Sequence, residues 1–185
     1  SLSIGNDQEI WISTTNQGVL RYHPEKKSFV SVDWGNSTTD INSVTLFNDF
    51  LIIRTGAQEL YLYDVKNKIS KRIRTDVLGF SDFDILDISV ASDNQIYLGS
   101  NYGVFQLDYK SSCLIRKFQD YPELLTSQVK DICLSQGQWF FATSDNGLLT
   151  IDNDGELINS TQDMFQKRAL MYNNLSVLFE DRNKK

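Results

Sequence analysis

The chain is poor in the residues that most metal and nucleophile chemistry requires. Its 185 residues include one histidine, His23, two cysteines, Cys113 and Cys133, and two prolines. A Ser-His-Asp or Cys-His arrangement would have to pass through His23. One histidine and two distant cysteines do not make a usual zinc ligand set, so no metal is expected. Positive charge is also scarce: 18 Lys and Arg stand against 24 Asp and Glu, a formal charge of −6. Such a chain is a poor binder of nucleic acid or of an anionic membrane surface. Its densest basic stretch, Lys68 to Arg74, alternates charge with Ile69 and Ile73 and reads as the solvated face of an outer strand, with both isoleucines inward. No apolar run approaches the roughly 18 residues of a membrane helix. No P-loop or G-x-G-x-x-G occurs, so no nucleotide and no cofactor is implied. The two cysteines are expected as buried small apolar thiols rather than a disulfide, which needs Cα atoms within about 7 Å.

What the chain does have is a repeat. Glu9 to Tyr22, EIWISTTNQGVLRY, reads as strand, tight turn, strand. The unit returns as LIIRTGAQELYLYD at 51–64, IYLGSNYGVFQLD at 96–108 and WFFATSDNGLLTID at 139–152. Aligning Thr14, Thr55, Ser100 and Thr143 gives steps of 41, 45 and 43 residues, the period of a four-stranded propeller blade. A second marker keeps the same period. It is an apolar pair two residues apart, Leu2/Ile4, Val44/Leu46, Ile88/Val90, Ile132/Leu134 and Val177/Phe179, followed by a polar turn such as Asn6-Asp7, Asn48-Asp49 or Ser92-Asp93-Asn94. The expected fold is all-β: a β-propeller fragment of about four four-stranded antiparallel blades, radially arranged, with at most short helical turns between blades.

At these residues the chain resembles the two-component regulator propeller repeat, which builds the periplasmic sensor domains of hybrid two-component systems common in gut Bacteroidetes. IWISTTNQGVLRYHP at 10–24 is the nearest match to the repeat. Residues 51–64 depart from it, with Arg54 in place of a small residue and Glu59 in place of glycine. The resemblance covers nearly the whole chain. It implies a non-enzymatic sensing module in the periplasm, part of an inner-membrane histidine kinase, detecting a glycan-derived or other small extracellular cue.

Taken in order, the blades span about 2–34, 41–73, 85–118 and 129–159, with 174–185 as the first strand of a further blade. The chain starts at Ser1 and stops at a polar turn, and is expected to be a segment of a longer propeller; a natural four-bladed ring is the alternative. Residues 121–127 suit a helical turn with Pro122 at its first position, and 162–172 a short helix capped by Asp163. An open arc of blades leaves apolar faces bare, so self-association or a homodimer is expected.

Candidate ligand contacts lie in the turns between second and third strands and in the inter-blade loops: Asn16, Gln17, Trp34, Gln58, Asn101, Tyr102, Tyr121, Asp145 and Asn146, with Phe80 beside them. Amides hydrogen-bond sugar hydroxyls and aromatic rings stack on sugar faces; equally, Asn, Asp and Gly are what tight turns use. Trp34 is expected to be exposed. His23 aligns with Asp64, Asp108 and Asp152, a turn position away from that loop end. The Asp152-Asn153-Asp154-Gly155 stretch has the look of a calcium loop but lacks its later glutamate. Carboxylate pairs such as Asp82/Asp84 have the chemistry of a glycosidase, but such pairs are expected by chance among 24 acidic residues, and a propeller lyase or glycoside-active enzyme finds no convincing general base in the chain. The remaining alternative is a protein-interaction scaffold.

Overall fold

A computed structural model describes residues 1–5, 9–75, 78–91, 93–161, 170 and 172–180. The described residues form sixteen strands and one short helix. They make four sheets, each four-stranded, antiparallel and ordered as a meander, as expected from the repeat. The first sheet holds β1 (Leu2–Ile4), β2 (Ile10–Ser13), β3 (Val19–His23) and β4 (Ser28–Ser31). The second holds β5 (Ile41–Phe47), β6 (Phe50–Thr55), β7 (Leu60–Asp64) and β8 (Ile69–Ile73). The third holds β9 (Ile85–Val90), β10 (Ile96–Ser100), β11 (Gly103–Asp108) and β12 (Cys113–Arg116). After α1 (Pro122–Thr126) the fourth holds β13 (Val129–Ser135), β14 (Gln138–Thr143), β15 (Leu148–Ile151) and β16 (Leu157–Ser160). The helix expected over 162–172 falls almost wholly outside the described residues, as do the turn residues Asn6, Asp7 and Ser92.

The recurring hydroxyl explains the repeat. Thr14 Oγ1 donates to the Gly18 carbonyl, Ser100 Oγ to that of Gly103 and Thr143 Oγ1 to that of Gly147, each at 2.8 Å. The same oxygens accept from the backbone N–H of Gln17, Tyr102 and Asn146 at 2.9 to 3.0 Å. One small side chain therefore closes each tight turn by itself, which is why Ser or Thr is needed there. The closing glycines have φ of +70° (Gly18), +89° (Gly103) and +68° (Gly147), a region that side chains resist. In the divergent second copy the turn still forms. Thr55 N–H bonds the Glu59 carbonyl, and Gln58 takes the left-handed conformation at φ +61°.

The chain divides into two compact units, Ser1–Gly79 with Tyr109–Cys113, and Phe80–Asp108 with Leu114–Lys185. In the first, Trp11 and Val19 of the first sheet are buried with Val44, Leu51, Ile53 and Tyr63 of the second. In the second, Tyr97 and Val104 of the third sheet are buried with Ile132, Phe141, Leu149 and Ile151 of the fourth. The two cores use the same positions: Trp11 and Tyr97 sit at equivalent places on β2 and β10, and Leu51 and Ile53 match Trp139 and Phe141. Period-2 alternation gives each sheet two apolar faces, and stacking a second sheet covers one of them.

Several side chains depart from expectation. Trp34 is 2% exposed, edge-to-face with Tyr61 at 5.2 Å; the 33–40 loop turns the indole back onto the sheet core. Ile69 is 65% exposed while Ile73 is buried: Ile69 pairs with Asp64 at the turn end of β8, and Ile73 pairs with the buried Leu60 at the other end. Cys113 is exposed and Cys133 half-buried, both as free thiols. Among the described residues no helix is long and apolar enough to cross a membrane.

Candidate functional site

The second unit builds a polar and aromatic cluster where β10 turns into β11. Loop 80–84 lies against that turn. Asn101 uses both ends of its amide on the loop: Nδ2 donates to the Asp82 carbonyl (2.7 Å), and Oδ1 accepts the Asp84 N–H (2.9 Å). Tyr102 stacks on Phe80 at 4.1 Å and 16°, with Phe83 nearly parallel to both and edge-on to Phe105. The Tyr102 hydroxyl donates to Asp82, which raises the phenol pKa above its usual range. Arg116, from the outer strand β12, places its guanidinium 5.5 Å from the Phe80 ring. It also donates to the carbonyls of Tyr102 and Leu125 at 3.1 and 3.0 Å, tying the turn to α1. The result is a preformed aromatic stack bordered by an amide, a carboxylate and a guanidinium, the mixture that holds a polar ligand with a flat hydrophobic face.

The other expected contacts divide. Asn146 shares the loop end of the second unit and donates to Ser127 Oγ (2.8 Å), with Asp145 exposed beside it. In the first unit Asn16 and Gln17 are exposed at the β2–β3 turn, and Gln58 is half-buried with its Oε1 unbonded. Tyr121 is directed elsewhere. Its hydroxyl donates to the Gly155 carbonyl (2.8 Å) in the β15–β16 turn, at the other end of the fourth sheet from Asp145 and Asn146. Trp34 is in the core. His23 ends β3, and the Asp152–Gly155 stretch is an ordinary turn in which Asp152 accepts the N–H groups of Asp154 and Glu156. Among the described residues no group of three or more His, Cys, Asp or Glu is arranged to hold a metal ion.

Sequence reasoning missed a second feature, on the strands that open the sheets, β1, β5, β9 and β13, each the innermost of its sheet. Ser1 Oγ accepts the N–H of Val44 on β5. At the matching place Asp87 of β9 accepts the N–H of Ile132 on β13, and Asp131 of β13 accepts that of Leu178 at 2.6 Å. Innermost strands of neighbouring sheets do not pair with each other, so a side chain must satisfy these donors. Burial raises Asp87 to about 6, with the nearby Asp131 charge adding to the effect and hydrogen bonds from Ser89, Ile88 and Ile132 opposing it. The visible signal was an Asp-Ile step repeated at 87–88 and 131–132.

No family model matches the sequence, and no curated protein matches it. Among solved structures, the chain superposes over 100% of its length on the extracellular domain of BT3049 from B. thetaiotaomicron, named as a hybrid two component system. The TM-score is 0.78, the identity 13%, and the match covers 24% of that chain. The extracellular domain of BT4673 from the same organism, also named as a hybrid two component system, gives 0.76 at 19% identity. That match covers 99% of this chain and 24% of the other. The β-propeller domain of Cps50 (Swd1) from Myceliophteria thermophila gives 0.60 at 11% identity, over 88% of this chain and 58% of the other.

The fold is that of a β-propeller fragment. Its four sheets are blades, β1, β5, β9 and β13 are their innermost strands, and Asp87 and Asp131 belong to the inner strands of blades three and four. The stack of Phe80 and Tyr102 sits at the β10–β11 end of blade three, with Asn146 at the corresponding end of blade four. The chain spans about a quarter of the length of the two B. thetaiotaomicron domains.

Proposed function

We propose that this propeller fragment is part of a non-enzymatic, periplasmic sensing domain of a hybrid two-component histidine kinase, and that it contacts a glycan-derived or similarly polar small cue at the loop end of its blades. The reading is supported above all by the fit of the whole chain onto two extracellular domains of such systems. The Phe80–Tyr102 stack, with Asn101, Asp82 and Arg116 around it, has the chemistry for a sugar ring: an aromatic face and fixed hydrogen-bonding groups. The bare face of blade one carries Leu2, Ile4 and Phe29, 58%, 66% and 54% exposed, and is proposed as the surface for self-association or a homodimer.

Calorimetry against a panel of neutral and acidic oligosaccharides tests the ligand. At least one should give saturable heat, and Tyr102→Ala should weaken it tenfold or more. Saturable binding that is indifferent to Tyr102→Ala would move the site elsewhere. Heat from no sugar, together with concentration-dependent self-association, would favour an interaction scaffold.

A further inference from the structure

Residues 174–180 lie against blade four by the bonds that join β5 to blade one. The Ile41 N–H donates to the Thr14 carbonyl, and the Leu175 N–H donates to the carbonyl of Thr143, the equivalent residue. The Gly18 N–H donates to Thr39, and the Gly147 N–H to Asn173. The Val44 N–H bonds the side chain of Ser1, and the Leu178 N–H that of Asp131, again equivalent positions. The register is therefore fixed: Leu175 stands where Ile41 stands and Leu178 where Val44 stands. Both leucines are half-buried, whereas Val177 and Phe179, the pair expected from the sequence, are 75% and 89% exposed. The register set by these bonds puts Leu178 and Glu180, not Val177 and Phe179, where Val44 and Leu46 stand.

The equivalence extends to what is uncovered. Trp11 and Tyr97 hold the position on blades one and three that Phe140 holds on blade four. In the first two cases it is 1% and 4% exposed, covered by the next blade's second strand through Leu51 and Ile53 or Trp139 and Phe141. Phe140 is only half-buried, at the base of a groove of about 350 Å³ lined by Cys133, Gln138, Leu178, Phe179 and Glu180.

We propose that 174–180 is the innermost strand of a further blade, and that this groove is the seat of that blade's second strand. The occupant is an antiparallel β-strand with apolar residues at alternate positions, paired to the outward edge of 176–180 and packed on Phe140. Continuity with the blade-one seam carries the assignment, and it does not depend on the sensing role.

The test grafts a second copy of residues 48–75 directly after Asp181, the place equivalent to Phe47, in a Cys113→Ser background. Cys133 lines the groove, so its labelling rate by a thiol reagent should fall at least tenfold. The same graft carrying Leu51→Asp and Ile53→Asp should restore the rate. A folded graft whose Cys133 reacts at the parent rate would overturn the proposal. So would protection of Cys133 that rises with concentration in the ungrafted chain, since a second copy would then be the occupant. Should the graft not fold, amide exchange in the ungrafted chain decides: Leu175 and Leu178 should exchange more slowly than Val177 and Phe179, and the reverse order would rule the strand out.

Discussion

Asp87 shows how one buried carboxylate sets a pH response. Its native pKa is raised from 3.8 to about 6. Below pH 4 both folded and unfolded chains hold the proton, and the charge costs nothing. Between pH 4 and 6 the unfolded chain releases it while the folded chain keeps it, so this group makes stability fall as pH rises, with the full penalty present above 6. Asp87→Asn removes the titration yet keeps an oxygen for the Ile132 N–H. It should stabilise the protein at pH 7 by roughly 2 kcal/mol and make no difference near pH 4. Urea unfolding followed by tryptophan fluorescence across that range reads the difference; an equal effect at both ends would place the shift elsewhere. Gly99 makes the opposite case, since space alone decides it. A Cβ there would lie 2.4 Å from the Val129 carbonyl, so β13 approaches β10 too closely for any side chain. Gly99→Ala should cost about 1–3 kcal/mol, from the displacement it forces on blade four. Thermal melts check this, and an unchanged melting temperature would contradict the close approach.

At the scale of elements, α1 is too short to hold itself. Five residues close scarcely more than one turn, and isolated helices of this length are unstable in water. It is held by burial of Leu124 and by Arg116, which bonds the carbonyls of Leu125 and Tyr102. Arg116→Ala should therefore speed amide exchange in 122–126 and at the β10–β11 turn while leaving β14 and β15 protected. Uniform protection loss would instead mark a global effect. The hairpins were legible because one hydroxyl and one positive-φ residue make each turn locally. The Phe80–Tyr102 stack was half legible: Tyr102 and Phe80 are loop aromatics in the sequence, but Arg116 sits in CLIR, which reads only as an outer strand. Trp34 misled because a tryptophan in a Gly/Ser/Thr loop looks exposed. Whether such a loop folds back over a neighbouring sheet is a property of packing, not of its composition.

For the whole molecule, the face of blade one that looks away from blade two should dominate solution behaviour. Leu2, Ile4, Ile10, Ile12, Leu20, Tyr22 and Phe29 share it by strand register, and patches of this kind drive association. Sedimentation velocity should show mass rising with concentration, and Ile4→Lys with Phe29→Lys should return the protein to monomer. Charge changes on β8, already rich in Lys and Arg, should have no such effect. Association unmoved by the double substitution would shift the contact to another surface.

The sequence alone determined the number of sheets, their strand order and the tight turns, because period-2 alternation and a hydroxyl closing its own turn are local physics. It could not decide which sheet face meets a neighbour, which half-apolar loop turns inward, or where burial lifts a carboxylate. Those depend on residues some 40 positions apart coming into contact, and on water being excluded between them, and only the packed structure brings that about.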